Sequence, residues 1–299
     1  MYERYQLVLH SRQFEDIRRS FLNGRAAHAY IIEGPAGAGK RTLSKLASAL
    51  IVCREKRACL DCPDCRRALL GVHPDVHLYS SEKRISVKDM RGLIEQSALK
   101  PYEADYGVYI VENAHTATAE AQNCLLKTLE EPPGDSIFML LALNAGQLLP
   151  TVRSRCRLVR MTGFSDELIF RQLQALYPGE EKCRQAAQMA GGNIGRGVAL
   201  IEKRELWELA ALAERLCAEA DSLSAAQVAE MLRGAKDKMD ELLPLLEERL
   251  IRAGDVKSLA RLGYVEDAVR RLEENVNPAL ALDGLAYYFT KGDSKWQKL

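Results

Sequence analysis

Ala29-Tyr-Ile-Ile-Glu-Gly34-Pro-Ala-Gly37-Ala-Gly39-Lys40-Arg41-Thr42 decides the fold of this chain. The apolar run Tyr30–Ile32 reads as a buried strand, and the turn that follows has the complete spacing G-x-x-x-x-G-K. Glycines at 34, 37 and 39 free the backbone N–H groups to turn inward around phosphate oxygens. The helix expected next, from about Lys40 to Val52, would present the positive end of its dipole to the same anion. Lys40 would reach the outer phosphates. One position departs from the pattern. A Ser or Thr hydroxyl should follow the lysine to hold Mg²⁺, but Arg41 stands there and Thr42 comes one place later. A glycine-rich turn that binds nothing is the plain alternative.

Working outward, the same alternation continues. Strands are expected at Asp75–Tyr79, Gly107–Val111, Ser136–Ala142 and Arg157–Met161. Helices are expected at Ser86–Ala98 and Glu120–Glu131, the second stopped by Pro132-Pro133. Ser86 and Asp89 approximate a capping box without its strict form. Strands alternating with helices predict a parallel sheet covered on both faces. After Gly163 the spacing turns helical. Ser165-Asp-Glu opens a helix, Gly191-Gly192-Asn193 breaks the pattern, and four or five amphipathic helices follow from about Glu205. The expected architecture is α/β plus all-α: a P-loop parallel-sheet domain over residues 1–163, a small helical lid over 164–204 and a helical domain over 205–299.

The chain has 299 residues, with 42 Lys and Arg against 41 Asp and Glu, a net charge of +1. That balance speaks against a protein that coats nucleic acid by itself, as does an aromatic content of 6%. No apolar run approaches the length of a membrane helix. Met1-Tyr-Glu-Arg-Tyr5 lacks the apolar centre of a signal peptide, so a cytoplasmic protein is expected.

Four of the eight cysteines, Cys53, Cys59, Cys62 and Cys65, form the spacing C-x5-C-x2-C-x2-C. In a reducing compartment such a cluster reads as metal ligands rather than disulfides. Four thiolates complete a tetrahedral zinc shell with no open position, which predicts a structural zinc. Pro63 and Asp64 suit a tight turn between ligands. Four free thiols are the alternative. Cys124, Cys156, Cys183 and Cys217 are scattered and read as small buried hydrophobes, and His73 and His77 as ordinary loop and strand residues.

The ends of the later strands carry further candidates. Val108-Tyr-Ile-Val-Glu112-Asn113 puts an acid where an ATPase holds Mg²⁺, but Asn113 cannot serve as the base usually found next. Asn144 ends the fourth strand, where it either senses a γ-phosphate or makes a turn. Arg153, Arg155 and Arg157 alternate, as on the charged face of an edge strand. An arginine here is also placed to reach a neighbouring subunit's nucleotide.

Together these residues resemble the clamp-loader branch of the AAA+ ATPases. The likeness rests on His28-Ala-Tyr, the four cysteines, Ala121-Gln-Asn-Cys-Leu-Leu-Lys-Thr-Leu-Glu-Glu-Pro-Pro133, and Leu149-Pro150 leading into Ser154-Arg155-Cys156. It covers the first 200 residues well and the C-terminal helices more loosely. The resemblance implies a three-domain subunit whose C-terminal helices form a collar in a hetero-pentameric ring with gamma/tau-type and delta subunits. That ring places a sliding clamp on primer-template DNA. By the same resemblance Arg155 is an arginine finger acting in trans, Arg196 a sensor arginine, and Cys53, Cys59, Cys62 and Cys65 the zinc ligands. Lys40-Arg41 and Glu112-Asn113 favour a stator that lends its finger without hydrolysing ATP. They leave open a vestigial ATP/Mg²⁺ site formed by Gly34, Gly37, Gly39, Lys40, Thr42, Glu112, Asn144 and Arg196. The competing readings are an ATP-hydrolysing motor subunit, in which Thr42 shifts register to hold Mg²⁺, and a zinc-containing nucleic-acid-binding P-loop protein.

Overall fold

The computed structural model describes residues 2–80, 84–273 and 277–291 of the chain. It divides into two compact units.

The first unit comprises Met1–Glu180 and Gly192–Gly195. In chain order its elements are α1 (Gln6–Leu9), α2 (Arg12–Leu22), β1 (Ala29–Glu33), α3 (Lys40–Val52), α4 (Pro63–Leu70), β2 (Val76–Tyr79), α5 (Val87–Ser97), β3 (Gly107–Val111), α6 (Ala119–Glu130), β4 (Ser136–Ala142), α7 (Pro150–Arg153), β5 (Arg157–Arg160) and α8 (Asp166–Leu176). The five strands form one parallel sheet in the order β2-β3-β4-β1-β5. β1 lies between β4 and β5, with Ile31 opposite Leu140 on one side and Leu158 on the other. Because side chains alternate across a strand, β1 feeds two cores. Tyr30 and Ile32 join Leu43, Leu46 and Leu50 of α3, while Ala29 and Ile31 join Leu125 and Leu129 of α6. The near-continuous apolar strands are what a sheet covered on both faces requires.

The second unit comprises Glu181–Gly191 and Arg196–Leu299. Its described residues are helical: α9 (Glu180–Ala190), α10 (Ile194–Glu202), α11 (Arg204–Ala218), α12 (Ala225–Gly234), α13 (Met239–Ala253), α14 (Val256–Glu273) and α15 (Pro278–Lys291). α13 packs against α11 and α14, and α15 against α12 and α14. Among the described residues no helix is long and apolar enough to cross a membrane.

Three local features differ from the sequence reading. Ser86 and Asp89 form a full capping box, each side chain taking the other's backbone N–H, because a short Asp reaches as well as the usual Glu. Pro63 and Asp64 are the first turn of α4 rather than a turn between ligands; Pro at the first helical position loses no hydrogen bond. Arg153 ends α7 and Arg155 lies in the turn after it, so only Arg157 belongs to the edge strand.

Candidate functional site

The P-loop turns as its glycines predict. Gly37 and Gly39 have φ of 77° and 90°, a region costly for residues with a Cβ. Its side chains, however, are partnered within the protein. Lys40 Nζ donates to the carbonyls of Gly34 at 2.5 Å and Pro35 at 2.8 Å. Burial holds the Lys40 pKa below its ordinary value. Arg41 Nε lies 2.8 Å from Glu112 Oε1, so the carboxylate expected to hold Mg²⁺ already has a guanidinium. Thr42 is half-buried in the first turn of α3. The Gly192–Gly195 turn lies against the loop. Asn193 Nδ2 donates to the Ala36 carbonyl, and Gly195 N–H to the Gly37 carbonyl at 3.1 Å. A Cβ on Gly37 would come within 2.3 Å of Asn193 Oδ1.

The neighbouring strand ends add few free groups. Asn113 takes left-handed backbone, φ 51°, at the exit of β3. Asn144 Oδ1 accepts from Gly146 N–H at 2.7 Å and so caps its own turn. The last residue of β1, Glu33, was not singled out in the sequence. It accepts from Ala145 N–H at 2.9 Å and from Arg160 Nε at 2.7 Å, tying the ends of β1, β4 and β5 together. In the second unit, Arg196 is ion-paired with Glu248 of α13. A metal would have to displace Arg41 from Glu112.

The far end of α3 is finished differently. Cys53 is its C-cap residue, and Cys62 is the N-cap residue of α4. The Sγ atoms of Cys53, Cys59, Cys62 and Cys65 all lie within 4.8 Å of one another, with 3.7 Å from Cys53 to Cys59 and 3.9 Å from Cys59 to Cys65. Zinc with sulfur at ~2.3 Å in a tetrahedron sets sulfurs ~3.8 Å apart, so the cluster fits that ion. Cys62 N–H donates to Cys59 Sγ, and Cys65 N–H to Cys62 Sγ, both at 3.4 Å. Burial raises the Cys53 pKa, but backbone N–H donors from Cys59, Arg57 and Glu55 outweigh it and bring the thiol down to about 6. Burial pushes Cys65 up. A bound cation would draw all four to thiolates.

The loop between the cysteines holds Lys56, Ala58 and Leu60 at φ 51°, 52° and 62°. Left-handed backbone costs such residues about 1 kcal/mol or more each and persists only where the surroundings impose it. With no glycine in the loop, this backbone is not legible in the sequence.

A polar network absent from the sequence reading ties α4 to the sheet. Asp64, between Cys62 and Cys65, pairs with Arg54 and with Arg67, and Arg67 also pairs with Glu103. Asp75 accepts from the N–H groups of Tyr102, Glu103 and Ala104 at 2.5, 2.8 and 2.8 Å. His73 Nδ1 accepts from Asp75 N–H at 3.1 Å, and His77 stacks on Tyr109. Lys45 Nζ reaches the Leu69 carbonyl at 3.0 Å, joining α3 to α4.

Arg155 lies on the same unit, beyond α7. Its Nε donates to Glu130 Oε1 at 2.8 Å, and Nη1 to the Thr151 carbonyl at 2.9 Å.

The profile of the family described as "DNA polymerase III, delta subunit" matches residues 9–165, the stretch that holds the sheet, the P-loop, the cysteines and Arg155. The chain belongs to this family. Among curated relatives of this family chain, the DNA polymerase III subunit delta' of Pseudomonas aeruginosa is 38% identical over 145 residues, 46% of this chain and 44% of that one. The DNA polymerase III subunit gamma of Buchnera aphidicola from Acyrthosiphon pisum is 28% identical over 188 residues, 60% of this chain and 52% of its own length. The chain thus spans about half the length of these relatives. Among solved structures, a DNA polymerase III gamma subunit-related protein of Thermotoga maritima shares the fold, with a TM-score of 0.52 at 16% identity over 93% of this chain and 99% of that one.

Proposed function

We propose that the chain is a delta-prime-type subunit of a bacterial DNA polymerase III clamp loader, a stator that donates Arg155 to a neighbour's ATP site and does not turn over ATP itself. The observation that carries the stator reading is the Arg41–Glu112 ion pair. It puts a protein cation on the carboxylate that a motor subunit would give to Mg²⁺. Residues 1–163 form the P-loop domain, 164–204 the lid and 205–299 the collar of a hetero-pentameric ring with gamma/tau and delta subunits. The ring acts on a sliding clamp and primer-template DNA in the cytoplasm. Cys53, Cys59, Cys62 and Cys65 hold a structural zinc, supported by the fit of their sulfur spacing to a tetrahedral shell.

Arg155 contributes a positive charge, fixed on a rigid turn, at the point where charge develops on a transferring phosphoryl group. Such residues are worth about 10³–10⁵ in rate where they have been measured. The test is steady-state ATP hydrolysis by the chain alone, then by the reconstituted loader with clamp and primed DNA. The expected outcome is no turnover alone, and complex turnover that falls at least about a hundredfold per finger-dependent site with Arg155→Ala. Turnover by the isolated chain would make it a motor subunit instead.

A further inference from the structure

We propose that Glu130 is a positioning residue that restrains Arg155 in cis, so that a neighbour's triphosphate has to displace a carboxylate to reach the guanidinium. This rests on the reading of Arg155 as a finger.

Arg155 directs both Nε and Nη2 to the same oxygen, Glu130 Oε1. Its Nη1 donates to the Thr151 carbonyl and, at 3.3 Å, to Ser154 Oγ. A guanidinium has five N–H donors in a planar fork, and it grips phosphate best through two on one edge. Here the edge formed by Nε and Nη2 is taken by the carboxylate, and the opposite nitrogen is tied to its own turn. The arrangement orients the fork and neutralises it together.

Glu130 is also placed against its own helix. It is the last residue of α6, and Glu131 follows it as the C-cap. Carboxylates at a helix C-terminus meet the negative end of the dipole, so this one needs a cation. Arg155 supplies it from 25 positions along the chain. The pair is half-open to water, with side-chain exposures of 32% for Arg155 and 49% for Glu130. Exposed pairs are weak. The restraint is therefore shallow enough to be exchanged for a multiply charged anion.

The experiment uses the full chain and the reconstituted loader. In the full chain, Glu130→Gln is expected to speed solvent exchange of the Arg155 Nε–H about threefold, the factor an exposed ion pair sets. In the loader, Glu130→Gln is expected to raise kcat for ATP about threefold, the factor set by an exposed ion pair, with KM unchanged. Glu130→Asp, which keeps the charge on a shorter arm, should fall between the two and guards against a folding defect in the first variant. Unchanged or lowered kcat in Glu130→Gln, with Arg155→Ala still inactive, overturns the restraint while leaving the finger intact. If Arg155→Ala does not slow the loader, the finger reading fails and the restraint falls with it.

Discussion

The two ends of α3 carry the two motifs most readable in this sequence, and they are finished in opposite ways. At the N-terminus, the P-loop has the right glycines and the right lysine, yet its charged groups are already satisfied. Lys40 is bonded to loop carbonyls, Arg41 to Glu112, and Asn193 closes on Ala36. At the C-terminus, four sulfurs face one another across distances that suit a cation, and a left-handed loop without glycine holds them there. The first end has its charges matched within the protein. The second gathers four sulfurs at the spacing of a tetrahedral metal shell. A motif's letters state which groups are present; only the partners of those groups state whether a ligand has work to do.

The comparison can be broken at its strongest point first. Cys62→Ser is expected to release the metal and lower the melting midpoint by on the order of 10 °C, since metal binding and local folding are linked. Metal analysis and calorimetry of purified protein check this, and a variant retaining one zinc per chain would remove the contrast. A smaller effect is expected at the joint between the cysteine module and the sheet. Asp75→Ala takes the shared acceptor from three part-buried N–H groups, a loss of about 2 kcal/mol read by chemical denaturation.

The same carboxylate sets a pH dependence. Burial pushes its pKa up, but the three N–H donors outweigh that and hold it below the ordinary 3.8. Its contribution is therefore complete above pH ~4 and drains away as pH falls through the lowered native value. Asp75→Asn should flatten the acid limb of the stability profile relative to wild type, and an unaltered limb would reject the assignment. The least effect is expected at the other end of α3. Lys40→Ala should change stability by less than about 1 kcal/mol and leave clamp loading near wild type, because the lysine is bonded to carbonyls of its own loop. A large loss of loading would show that the P-loop end does need a ligand.

Much of this was legible in the sequence. β1, α3, β3 and β4 lie where apolar runs, glycines and the Pro132-Pro133 stop place them. The cysteine spacing was enough to expect a cluster, and the sulfurs do converge. What sequence could not supply was pairing over distance. Arg41 and Glu112 read as residues of two separate motifs, but they are one contact, and no local pattern links positions so far apart. The Asp64–Arg67–Glu103 chain and the role of Glu33 stayed hidden for the same reason. The backbone at Lys56, Ala58 and Leu60 was hidden for another: left-handed φ is not what these residues favour, and no glycine marks it.

The sheet order carries a consequence for how the chain is made. β1 lies between β4 and β5, so Ala29 cannot find Phe138 until more than a hundred further residues have left the ribosome. The cysteines from Cys53 to Cys65 need no such wait. They are neighbours in sequence, close a short loop, and enclose the end of one helix and the start of the next. During synthesis the cysteine module is thus expected to be the first ordered island, holding α3 and α4 together while both sheet neighbours of β1, β4 and β5, are still untranslated. Chains stalled once Leu70 has cleared the ribosomal exit tunnel, but before β4 is made, should already protect their thiols from alkylation when zinc is supplied, and equal labelling with and without the metal would place the island later.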